Sequence, residues 1–202
     1  MTCDPTFRRS LLTIPVVVLA AGMLGCAMSS AQASTNELPS PRVLSSGNHW
    51  AENADIAIRA DGSSIAAWEE SGTADSPRAI KVAAQDEFGR WGDARTLSTG
   101  TTSARLPKIV TNGTEVSVAW QQGLTGSERI MLAEFEGEWK SPRALSTKHC
   151  ADVELAMDSA GTTSLSWIRH GVGEASAVEF AQEKPAGSFH TQTLTDGSES
   201  AK

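Results

Sequence analysis

Asp61-Gly62-Ser63-Ser64-Ile65-Ala66-Ala67-Trp68 is a turn followed by a short apolar strand that ends in tryptophan. It returns as Asn112-Gly113-Thr114-Glu115-Val116-Ser117-Val118-Ala119-Trp120, and again as Ala160-Gly161-Thr162-Thr163-Ser164-Leu165-Ser166-Trp167. Asp-Gly and Asn-Gly are hairpin signals, because both residues tolerate a positive φ. The tryptophans recur at about 50 residues, a period that marks an array of repeated supersecondary units.

Around this stretch each unit reads as four strands. In the first unit Ile56 and Ile58 alternate with Ala57 and Arg59, and Ser64 to Glu69 follows the turn. Ile80, Val82 and Ala84 make the third strand. Asp86-Glu87-Phe88-Gly89 turns the chain into a fourth, Trp91 to Leu97. The second unit places strands at about Lys108 to Thr111, Glu115 to Gln121, Arg129 to Glu134 and Trp139 to Leu145. The third places them at Glu154 to Met157, Ser164 to Ile168, Ala177 to Gln182 and Phe189 to Leu194. The units span about 54–97, 106–145 and 153–194 of a repeat domain at 41–195. Fourth strands end alike, in Leu97-Ser98-Thr99, Leu145-Ser146-Thr147 and Leu194-Thr195. Ser40-Pro41-Arg42-Val43-Leu44-Ser45 nearly copies Ser141-Pro142-Arg143-Ala144-Leu145-Ser146, which predicts one orphan fourth strand ahead of the three units.

Alternation along the second strands puts Trp68, Trp120 and Trp167 on one face and the small Ala67, Ala119 and Ser166 on the other. Small residues there let neighbouring sheets approach. A tryptophan buries about 150–250 Å2, so the six in this chain are expected to supply much of the packing between sheets.

These units resemble the β-propeller repeats of bacterial exported proteins, including sialidase-like propellers. The resemblance rests on the strand ending in Trp and on Gly89-Arg90-Trp91 and Gly137-Glu138-Trp139. Gln85 to Trp91 resembles the Asp-box turn of sialidases, one residue short and without the Ser or Thr two before the Asp. The fold it implies is all-β: three four-stranded antiparallel blades. Sialidase chemistry is not implied, because it uses a Tyr nucleophile and this chain has no Tyr. Propellers close with about 4–8 blades. Three complete blades leave three readings: two copies completing a ring as a homo-oligomer, a fragment of a longer gene, or an open curved array.

The charge of −7 argues against a nucleic-acid partner, which selects a basic surface. Arg8-Arg9 precede an apolar run from Leu11 to Gly25, the pattern of an export signal and shorter than the roughly 20 residues of a membrane span. It also resembles a twin-arginine signal, with Phe7 in the place of the usual Ser or Thr. Two cleavage sites compete. Ala31-Gln32-Ala33 would end a signal at 1–33 and leave Ser34 first, whereas Met23-Leu24-Gly25-Cys26 resembles a lipobox that would leave Cys26 lipidated. The mature product is therefore read as secreted or at the cell surface, its membrane contact limited to the signal or that lipid anchor. Residues 34–40 read as a linker and 196–202 as a tail. Cleavage after Ala33 leaves Cys150 as the lone cysteine, a small buried residue rather than half of a disulfide.

By resemblance to propellers, ligands bind on the face built from loops between second and third strands and between units. The candidates there are His49, Trp50, Glu69 and Arg78 from the first unit, Arg105, Gln122 and Arg129 from the second, and His149, Arg169 and His170 from the third. Glu52, Glu70, Gln121 and Asp152 fall on the same face. No metal-ligand spacing, nucleophile elbow or phosphate loop is present, so no catalytic residue, metal or cofactor is assigned. The reading is a non-enzymatic module that binds protein or glycan. Its alternative is a glycoside-hydrolase-type, sialidase-like enzyme or a truncated piece of one.

Overall fold

The computed structural model describes residues 41–171, 175–184 and 187–195. The signal with its alternative end at Cys26, the linker and the tail lie outside them. The described chain is all-β, with no helix and no closed barrel. Its first sheet is β1 (Trp50–Ile58), β2 (Ser64–Ser71), β3 (Ala79–Ala84) and β4 (Arg95–Thr96). The second is β5 (Ala104–Thr111), β6 (Val116–Gln122), β7 (Arg129–Phe135) and β8 (Arg143–Ala144). The third is β9 (Cys150–Met157), β10 (Thr163–Arg169), β11 (Ala177–Glu183) and β12 (Phe189–Thr193). Each is an antiparallel meander in chain order, and the three make propeller-like blades of an incomplete ring.

Every first strand starts earlier than its alternation suggests, at Trp50, Ala104 and Cys150 rather than at Ile56, Lys108 and Glu154. The cause is one β-bulge at the same place in each blade. Register slips between Glu52 and Asp55 opposite Glu69 and Ala67, between Arg105 and Lys108 opposite Gln121 and Ala119, and between Ala151 and Glu154 opposite Ile168 and Ser166. The extra residue therefore always lies across from the repeated tryptophan. Asn53, Leu106 and Asp152 take the bulge conformation with φ of 50°, 52° and 53°. A bulge reverses the side-chain phase, which hides the first half of the strand from a period-two reading.

The fourth strands are shorter than expected in two blades. Trp91 and Trp139 make single bridges, to Gln85 and Phe135, before the chain leaves the ladder and rejoins it for two residues. Pro142 has no N–H to give to the second ladder, and Gly92-Asp93 are poor strand residues in the first. The third blade has neither, and β12 pairs without a break. The shared endings have one geometry. Ile80, Ile130 and Val178 each accept from the N–H of Leu97, Leu145 or Leu194 at 2.8 Å. Each also donates its own N–H to the hydroxyl of Ser98, Ser146 or Thr195 at 2.8–2.9 Å. Residues 41–49 form no strand. The expected orphan strand is missing: a fourth strand forms by adding to a third, and among the described residues none precedes it.

Two cores lie between blades. Trp120 packs with Ala57, Ile65, Ala67, Ile80, Val82 and Leu97 of the first blade. Trp167 packs with Ala119, Ile130 and Leu132 of the second, together with Val153 and Cys150. Each tryptophan thus seats against the alanine of the blade before it. Cys150 is buried there, and burial pushes its thiol above the usual range. Trp68 has no preceding blade among the described residues. With Ala66, Ala51, Ala54, Val43 and Leu44 it lines an apolar groove of about 410 Å3.

Candidate functional site

Each second strand ends, and each third strand begins, at the end of the blade where the first strand starts. All ten candidates therefore occur at one end of the strands. His49 and His149 directly precede β1 and β9, Trp50 and Arg105 open β1 and β5, and Arg78 and Arg129 flank the starts of β3 and β7. Glu69, Gln122 and Arg169 lie at the ends of β2, β6 and β10, with His170 beyond. They do not converge on one point.

Three of the second-strand positions serve the tryptophans. Trp68 Nε1 donates to Glu70 Oε2 at 3.1 Å, and Trp120 Nε1 donates to Gln122 Oε1 at 2.9 Å. Gln122 also donates to Thr99 O. In the third blade Arg169 stands at this position and brings Glu179, which accepts from Arg169 Nε at 2.7 Å and Trp167 Nε1 at 2.8 Å. A buried indole N–H needs such an acceptor. His49 Nδ1 lies 3.0 Å from Glu70 Oε1, and Ser46 N donates to Glu70 Oε2 at 3.2 Å. Burial would raise the Glu70 carboxyl, but the bonds from Trp68, His49 and Ser46 outweigh it and hold it below the usual range.

Glu69 is 1% exposed and is satisfied on both oxygens. Oε1 accepts from Asn53 Nδ2 at 2.6 Å and from the Leu106 N–H of the next blade at 2.7 Å. Oε2 accepts from Arg78 at 2.8 Å, and Arg78 also reaches Glu52 at 2.6 Å. Bonds to Glu69 and Glu52 raise Arg78 above its ordinary value. The carboxylate thus joins the bulge of one blade to the bulge of the next, and Leu106 is held in a left-handed conformation that Leu rarely adopts.

The second blade fills the same three positions differently. Arg105 pairs across the ladder with Gln121 as Glu52 does with Glu69. Glu128 directly precedes β7 as Arg78 precedes β3. Among the described residues these three side chains make no ion pair or hydrogen bond, and the buried Gln121 Nε2 has no partner. They line a polar pocket of about 190 Å3 with Ser103, Leu124 and Thr125.

The rest of the candidates are dispersed. Trp50 is 59% exposed, outside both cores, and Arg129 is exposed. His149 Nδ1 lies 2.5 Å from Gly126 O and His170 Nδ1 3.1 Å from Ser176 Oγ. Among the described residues no group of three His, Cys, Asp or Glu side chains could hold a metal ion. Asn53 and Leu106 were not legible as site residues, since only the bulge brings them into place, and Glu128 was missed at the position before β7 that Arg78 holds before β3.

The opposite, hairpin end carries a second feature. A groove of about 280 Å3 between the second and third blades contains Glu134 and Glu183. Arg143 lies 2.7 Å from Glu134 and 4.0 Å from Glu183. Burial, then the charge of Glu183, raise the Glu134 carboxyl, with Arg143 opposing.

No family model and no curated protein sequence matches the chain. Solved structures share its fold. One is Zg3597, a family 117 glycoside hydrolase of the marine bacterium Zobellia galactanivorans, with a TM-score of 0.52 and 13% identity over 75% of this chain. Another is the polysaccharide lyase Uly1, with a TM-score of 0.52 and 11% identity over 71% of this chain. The chain spans 57% and 41% of those two proteins' lengths. At these identities the likeness is one of fold: an all-β array of propeller-like blades.

Proposed function

We propose that the chain is an exported, non-enzymatic binding module whose ligand is a glycan. One observation carries the non-enzymatic reading. Glu69, the only carboxylate among the ten candidates, is buried and held by three donors, one of them the Arg78 guanidinium, so it is tied into the fold and closed off from a substrate. Glycoside hydrolysis needs two carboxyls flanking a bond. The choice of glycan draws support from the two neighbours, both named for carbohydrate chemistry. A glycan array run beside a panel of chromogenic glycosides tests this. Binding without turnover is expected; turnover lost in one carboxylate variant would overturn it.

The second reading is a glycoside-hydrolase-type enzyme or a truncated piece of one. Glu134 favours it, as a buried carboxyl with a raised pKa near a second carboxyl is what an acid catalyst needs. Arg143 lies between the two, which suits a structural ion pair better. Loss of turnover in Glu134→Gln would establish the enzymatic reading.

Export is part of the proposal and rests on the first 33 residues. Sequencing the N-terminus of the mature protein separates secretion, starting at Ser34, from lipid anchoring at Cys26. Self-association through the open face beside Trp68 completes the proposal. Light scattering on the mature chain is expected to show a mass of two copies, and a dispersed monomer would remove it.

A further inference from the structure

We propose that the pocket formed by Arg105, Gln121 and Glu128 is the glycan subsite, shaped for one neutral pyranose unit; this rests on the glycan-binding reading above. The same three positions are closed in the first blade and open in the second. In the first, Glu52, Glu69 and Arg78 satisfy one another, and Glu69 is further bonded to Asn53 and Leu106. In the second, Arg105, Gln121 and Glu128 have no mutual bonds, and Gln121 is 8% exposed with Nε2 unpartnered. A buried amide without a partner costs about 1–3 kcal/mol. An apolar side chain fits at this position, as Ile168 occupies it in the third blade. Gln121 therefore weakens the fold where Leu or Ile would not, as functional sites do when they hold a polar group ready for a ligand.

The ligand class follows from the lining. Arg105 and Gln121 donate, while Glu128, Asp75 and the Thr101, Thr102 and Ser103 hydroxyls accept. A lining with both donors and acceptors suits hydroxyls, which do both. Two carboxylates against one guanidinium disfavour an anionic sugar. Leu124 and Pro77 offer an apolar flank to a ring face. At about 190 Å3 the pocket lies below the usual range for drug-sized ligands, which limits it to a single ring.

The experiment titrates isotope-labelled mature protein with a panel of neutral methyl pyranosides and their uronate counterparts, followed by amide shifts. At least one neutral member is expected to shift residues 101–105 and 121–128, with the uronates weaker. Arg105→Ala and Gln121→Leu should each weaken that binding by about tenfold or more. Gln121→Leu should at the same time raise the melting temperature, a pairing that a merely structural role would not give. Lys108→Ala, which removes a salt bridge to Glu154 outside the pocket lining, should leave the binding unchanged. If glycans bind on the array but shifts fall elsewhere, or none of the panel binds, the subsite is wrong and the glycan reading stands. If neither array nor panel shows binding, both fall.

Discussion

Glu70 shows what one side chain near the candidate face does. Its folded-state carboxyl is held below the ordinary value, so its stabilising contribution is present above that value and fades as pH falls through the lowered one. Glu70→Gln should lose about 1–3 kcal/mol at neutral pH, from the bonds to Trp68, His49 and Ser46. Its stability should then fall less between neutral and strongly acid pH than that of the parent. Urea melts at several pH values measure both. Among the tryptophans, Trp120→Ala should cost about 3–5 kcal/mol, as for other fully buried aromatics. Trp50→Ala, at an exposed site, should stay within about 0.5 kcal/mol. The Trp120 role was legible from the repeat, and Trp50, which falls outside the repeated stretch, was read as a loop-face residue rather than a core one. Asp158 was also missed. Aligning the turn glycines sets Ala160 opposite Asp61 and suggests that the aspartate is lost in the third copy. In fact Asp158, three residues before Gly161, accepts from Ala160 N and Thr162 N at 2.9 Å and closes the turn from further back. Asp86 builds the same turn on Phe88 and Arg90 at another hairpin.

At the scale of a strand, the Leu-Ser/Thr endings were visible as a repeated word without a meaning. Their meaning is a clamp: one third-strand residue is held at both its N–H and its carbonyl by consecutive residues of the fourth. Where β4 and β8 pair for only two residues, this clamp is a large share of what fixes the blade's outer edge. Ser146→Ala should leave Ile130 N–H, in a buried residue, without its acceptor and cost about 1–3 kcal/mol. Hydrogen exchange at the Ile130 amide should rise in step. The bulges mark the limit of the sequence reading. They reverse the alternation midway along each first strand, so half of β1, β5 and β9 looked like loop. Those are the halves that carry Glu52, Asn53, Arg105 and Leu106, and with them the parts of the site that only the structure brings together.

Over the whole molecule, all-β class, three units and four strands per unit were legible, because the turn and tryptophan recur in register. The incomplete ring was also foreseen, since three blades fall short of a closed one. The seating of neighbouring blades was less clear, as it depends on which face each tryptophan chooses. The two inter-blade cores predict unequal local stability. Slowest exchange is expected in β2, β6 and β7, which have a blade packed against them on the side of Ala67, Ala119 and Ile130. Faster exchange is expected in β11 and β12, beyond which no further blade lies among the described residues. Exchange followed by mass spectrometry would show the gradient, and uniform protection would contradict it. The seating also has a direction in time. Trp120 comes to rest on the first blade and Trp167 on the second, so each blade leaving the ribosome meets a surface already finished by its predecessor. Among the described residues the first blade has no such surface before it, and Val43 and Leu44, emerging just ahead of it, flank Trp68 in the groove on that face.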